Sequence, residues 1–126
     1  MATIPNSVLT YWRKGEDFTG RAIGAGITGK RFVKIVAGGV VPNVGLAMAT
    51  AADEVAGISQ NDCVVNDTVG VKAHGVYSVT AGVALTCGAV VFSDATGQAV
   101  LTGTKPAGIC WADTAVGGDA PIRINK

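Results

Sequence analysis

Apolar and polar side chains alternate along much of the chain, most clearly in TVGVKAHGVYSVT (68–80). Val69, Val71, Ala73, Tyr77 and Val79 fall on one side and Lys72, His74, Ser78 and Thr80 on the other. The pattern predicts one long, half-buried strand bent at Gly75, with His74 on its solvated face. RFVKIV (31–36), GAVVFS (88–93), QAVLT (98–102), AGICWA (107–112) and PIRIN (121–125) are shorter β-branched or aromatic runs, separated by Gly, Asn, Asp and Pro. Only MATAADEVA (48–56) has a composition suited to helix, and it predicts a turn or two at most. Short strands at near-regular spacing, with turn residues between them, predict an all-β fold: a small β-sandwich or barrel-like domain.

The pattern also repeats. AGISQNDCVVNDTVGVKA (56–73) lies over AGICWADTAVGGDAPIRI (107–124) at an offset of 51, with Ala, Gly, Ile, Asp and Val identical at corresponding places. Upstream, ITGKRFVKI (27–35) lies over LTCGAVVFS (85–93) at an offset of 58, so the first copy holds seven more residues in its central connection. Two related halves, 27–73 and 85–124, are expected to close one core between them. Before residue 27, IPNSVLTYWRKGEDFTGRA has a different character and belongs to neither copy. The expected organisation is an extended N-terminal arm over residues 1–20 and a single all-β domain over 21–126.

Composition adds to this picture without redirecting it. The 18 glycines in 126 residues are roughly twice the average share, and the 15% of charged residues is low, as a turn-rich β protein would have. No apolar run approaches the ~18 residues of a membrane span, and polar residues interrupt MATIPNSVLTYWRKG where a secretion signal would have its apolar core. Synthesis in a cytoplasm is therefore expected, and no membrane partner. Charge is uneven: residues 1–36 carry Arg13, Lys14, Arg21, Lys30, Arg31 and Lys34 against Glu16 and Asp17, a net +4, whereas the remainder carries −3. Such a basic head suits a negatively charged partner.

Candidate chemistry is sparse. GAGITGKR (24–31) fits the dinucleotide fingerprint through Gly24, Gly26 and Gly29, and misses the phosphate-loop pattern because Arg31 stands where a hydroxyl belongs. A phosphate loop needs a buried strand before the glycines and a helix after them. Here DFTGRAI precedes and the strand-like RFVKIV follows, so the glycines are expected only to turn the chain into its first core strand. Cys63, Cys87 and Cys110 are odd in number and lack C-x-x-C spacing, which predicts buried small side chains rather than disulfides or a zinc site. ICWAD (109–113) lacks a thiol-activating partner, since His74 is the only histidine and also excludes a multi-histidine metal centre. Glu16-Asp17 and Asp53-Glu54 are sequence neighbours in expected loops, with nothing to make them an acid and base pair. No enzyme, cofactor, metal or small-molecule substrate is expected.

Tyr11, Trp12, Arg13 and Lys14 form the most function-like local feature, because Trp, Tyr and Arg anchor protein interfaces. The alternatives are aromatic side chains that cover the domain's own core, or a nucleic-acid platform that combines stacking with positive charge. The net −3 of the remaining chain weighs against nucleic acid.

In succession, GEDFTGRA, ITGKRFVKI, EVAGISQND, TVGVKAHGVYSVTAG, LTCGAVVFSDATGQAV and AGICWADTAVGGDAPIRI resemble the phage head decoration, or capsid cement, proteins, from about Glu16 onward. The resemblance implies a non-enzymatic virion protein on the outer capsid surface. It would bind between subunits of the major capsid protein, commonly as a homotrimer, and hold them against internal DNA pressure. No fixed functional residue is carried over with it. In this reading Tyr11, Trp12, Arg13 and Lys14 contact the capsid or a neighbouring subunit. The alternative roles are a phage tail or spike component of similar β architecture, and a nucleic-acid-binding β domain.

Overall fold

The computed structural model describes residues 18–40 and 43–125. These residues form ten strands and no helix: β1 (Phe18–Ala22), β2 (Phe32–Val40), β3 (Asn43–Met48), β4 (Gly57–Ser59), β5 (Thr68–Lys72), β6 (His74–Thr80), β7 (Val90–Ser93), β8 (Ala99–Val100), β9 (Gly108–Cys110) and β10 (Asp119–Asn125). The first five close into a barrel in the order β1-β3-β2-β4-β5, and the last five form an open sheet in the order β6-β10-β9-β7-β8.

The two five-strand units are built alike. β2 pairs with β3 and β4, and β4 with β5, as β7 pairs with β8 and β9, and β9 with β10. The parallel pairing of β1 with β3 that closes the barrel has a reduced counterpart in the Ala81 to Ala99 bridge. Irregular parts match too: bridge Ile27↔Cys63 has the counterpart Leu85↔Thr114, and the Gly29 amide donates to Asp62 Oδ1 at 2.7 Å as the Cys87 amide donates to Asp113 Oδ1 at 2.8 Å. These pairs stand at the sequence offsets of 58 and 51. The fold is thus all-β, with two related halves.

Three local expectations are revised. TVGVKAHGVYSVT is two strands, not one: β5 completes the barrel and β6 opens the second sheet, with Ala73 as the joint. Its apolar residues accordingly enter two cores, Val69 and Val71 the barrel interior and Val79 the other. Residues 48–56 contain no helix; a turn at 51–52 is held by Asp53, whose carboxylate accepts from the Thr50 amide and hydroxyl at 2.8 and 2.6 Å. Phe18–Ala22, with a buried Gly20 and Ala22, is the first barrel strand, so Phe18, Thr19 and Gly20 belong to the barrel and not to the arm expected over residues 1–20. The strand pairs parallel with β3 through Gly20, Arg21 and Ala22, and the alternation is obscured because its inward position is Gly20, where a Cβ would meet Leu46.

The barrel core consists of Ala22, Ile27, Val33, Leu46, Val69 and Val71. The second, larger core lies between the units. Phe32 and Ile58 point out of the barrel wall and pack with Val79, Ala81, Val91, Ala99, Ile122 and Ile124 from the concave side of the open sheet. Alternation along β2 explains the division of labour: Val33 faces into the barrel, and Phe32 fills the mouth of the neighbouring half-barrel. Burying a side chain of that size contributes on the order of 2–3 kcal/mol. Backbone bonds fix the junction, with the Phe32 amide donating to Gly97 O at 2.8 Å and the Thr80 amide to Lys30 O at 2.9 Å.

Candidate interaction surface

The loop GAGITGKR is a packing device. Gly26 and Gly29 pass so close to the 61–65 segment that an added Cβ would lie 2.9 Å from Cys63 O and 2.8 Å from Asn61 Cα. The Gly29 amide, which a phosphate would need, is committed to Asp62. Lys30 has φ of 58°, a left-handed conformation that its counterpart Gly88 shares at 88°. Lys30 and Arg31 therefore precede the first long strand, which starts at Phe32, and no helix follows the glycines.

The cations of the basic head are largely occupied by this chain's own acceptors. Lys30 Nζ pairs with Asp119 across the junction at 2.9 Å, and Lys34 Nζ with Asp53 at 2.9 Å. Arg31 donates through Nη1 to Thr96 O, and Arg21 through Nε to Asn66 O. Hydrogen bonds from Thr50 and then the Lys34 ammonium hold the Asp53 carboxyl down at about 2. The described part of the basic head is thus a set of internal ties rather than one free positive face. Arg13 and Lys14 lie outside the described residues, as do Tyr11 and Trp12.

The expectation of buried cysteines holds for Cys110 and fails for Cys63 and Cys87. Cys110 is buried, Cys63 half-buried and Cys87 exposed. Cys110 takes the place held in the first unit by Ser59, whose hydroxyl donates to Thr28 O at 2.7 Å; the Cys110 thiol points to Ala112 O at 3.0 Å. His74 is paired by register with Asn125, at the opposite end of β6 from the exposed Cys87 turn. Among the described residues, no three His, Cys, Asp or Glu side chains gather as metal ligands.

An exposed apolar face is the feature that residue-by-residue inspection of the sequence did not single out. Six of the nine exposed large apolar side chains among the described residues belong to the second unit: Val83, Val90, Leu101, Ile109, Trp111 and Val116. Three of them share the convex side of the open sheet. Val90 on β7 stands opposite Ile109 on β9, Ile109 opposite Arg123 on β10, and Arg123 opposite Val76 on β6. Trp111 follows two residues after Ile109 on the same side, its amide donating to Pro121 O. Alternation sends Val91, Cys110 and Ile122 inward and leaves this row outside. The periodic signal was present in ICWAD, but an outward Ile and Trp on a short strand cannot be told from core residues until the inward face is known.

Comparison with known proteins bears on what such a surface serves. A family model described as phage cement protein matches residues 14–125. Among solved structures, the head fiber gp8.5 N base of bacteriophage phi29 superposes with a TM-score of 0.72 at 18% sequence identity, over 86% of this chain and 92% of that one. No curated protein matches the sequence.

Proposed function

The chain belongs to the phage cement protein family, a structural, capsid-associated component of the virion, and from that premise we propose that it binds the outer surface of a phage head between subunits of the major capsid protein. The family match over 14–125 carries this reading. The structural neighbour is itself a head fiber base, which supports a head over a tail or spike. A compact pair of β units with a second core at their junction suits a clamp, since such a part must transmit load without unfolding locally. The physical principle is linkage. A ligand that binds only the assembled lattice raises the free energy needed to open it, and many copies multiply a modest affinity per site.

We read the protein as non-enzymatic; among the described residues, charged side chains such as Asp62, which accepts from the Gly29 amide, and Lys30, paired with Asp119, serve turn and junction contacts. We further propose that it acts as a homotrimer, organised as one all-β domain preceded by an arm whose Tyr11, Trp12, Arg13 and Lys14 meet the capsid or a neighbouring subunit. Removing residues 2–15 then abolishes co-sedimentation with bare expanded heads while the circular dichroism and melting of the remainder are kept. Undiminished occupancy by the truncated protein would exclude the arm from the contact.

A further inference from the structure

The joint between the two units leaves a strand edge open beside two lysines. β6 is an edge strand of its sheet, with β10 as its strand partner on one side only among the described residues. Which backbone groups look outward follows from the register. Ser78 stands opposite Pro121, which has no N–H to give and whose carbonyl accepts from Trp111 instead. Thr80 turns its amide away from β10 to Lys30 O. By the alternation of an antiparallel ladder, Val76 and Ser78 likewise present their N–H and C=O groups away from β10. A cleft of about 150 Å³ lies at this edge, lined in part by Lys30, Gln60, Lys72, Tyr77 and Ser78. Tyr77 and Ser78 both border it although their side chains leave opposite faces of the strand, so the cleft meets β6 edge-on.

The charge at the cleft is of one sign. Among the described residues its charged lining side chains are Lys30 and Lys72, and the Lys72 ammonium stands 5.7 Å from the centre of the Tyr77 ring. The Lys30 bond to Asp119 uses one of three ammonium donors, and the side chain stays 51% exposed. Lys30 also holds the left-handed φ of 58° that strains a lysine, at a position where the second unit has Gly88. We propose that this edge binds an extended acidic peptide segment of a partner protein. The segment's backbone bonds to the outward groups of Val76 and Ser78, and a carboxylate side chain on it bonds to Lys30 and Lys72. Backbone pairing supplies affinity, and the two cations select the partner. The inference rests on the head-binding reading for the identity of that partner, and deepens it by naming the chemistry the partner must offer.

Titrating isotope-labelled full-length protein, without heads, with an end-blocked hexapeptide of alternating threonine and glutamate tests it through the amide NMR shifts. Saturable shifts are expected at Val76, Ser78 and Lys30. The same peptide with glutamine in place of glutamate should bind about tenfold more weakly. Lys30→Gly, which gives that position the residue of its counterpart, and Lys72→Gln should each weaken the glutamate peptide about tenfold while the spectrum stays that of the folded protein. Should one variant fail to fold, the other decides. Sodium acetate at matched carboxylate concentration should leave the Val76 and Ser78 amides unshifted; equal shifts there would make this a site for a free anion and overturn the segment. Equal binding of the glutamine peptide would also overturn the proposal. So would the lack of any saturable shift at this edge, in which case the lysines only guard it against pairing. Because heads are absent, failure here leaves head binding standing, and a peptide that binds as expected to a protein that ignores heads would overturn the head-binding reading alone.

Discussion

At the scale of single residues, the glycine-rich loop shows how a motif's appearance and its physical role separate. Gly29 lies in the loop because a Cβ there would meet the Asn61 backbone at 2.8 Å. Gly29→Ala should therefore cost about 2 kcal/mol, measured by urea unfolding, because backbone rather than a mobile side chain must give way. Thr50 stays within reach as well: it donates to Asp53 through both its amide and its hydroxyl, and Lys34 adds its charge. The folded-state pKa of Asp53 is depressed to about 2 from 3.8. Its contribution is thus present above pH ~4 and is lost as pH falls through ~2. With solvent at hand it is worth about 1 kcal/mol. Asp53→Asn should lower the melting temperature at neutral pH and flatten the wild type's fall between pH 4 and 2. An unchanged acid profile would remove Asp53 from the account.

At the scale of elements, most of the strands were legible and their partnerships were not. RFVKIV, GAVVFS, AGICWA and PIRIN each contain the observed strands β2, β7, β9 and β10 or most of them, because β-branched runs between turn residues leave few other options. The offsets of 51 and 58 likewise mark positions that make the same hydrogen bonds in both units. Two features stayed hidden. The expected boundary at residue 20 cuts through Phe18–Ala22 because its glycine and arginine break the alternation, yet pairing on both sides makes it one strand. Phe32 and Val33 are adjacent apolar residues serving different cores, which no single-period pattern can express. Phe32 also ties the stability of one unit to the other. Phe32→Ala should cost about 3–5 kcal/mol, and calorimetry should still show one transition, shifted down. Two separated transitions would mean that the units unfold independently.

For the whole molecule, the class of protein is more legible in the sequence than its exposed apolar face. Family resemblance is spread over many short blocks, and these are the turn and core positions that hold the two units together. The convex face with Ile109 and Trp111 depends on which side of a three-residue strand looks outward, and so became visible only with the sheet in place. The clamp account makes its most direct claim about location. Purified protein added to expanded heads that lack it, followed by electron microscopy and reconstruction of the particles, measures that claim. The account predicts discrete density on the outer head surface over contacts between neighbouring capsid subunits, and heads that withstand higher temperature before releasing DNA. Density confined to the tail, or heads that bind no protein at saturating concentration, would contradict it.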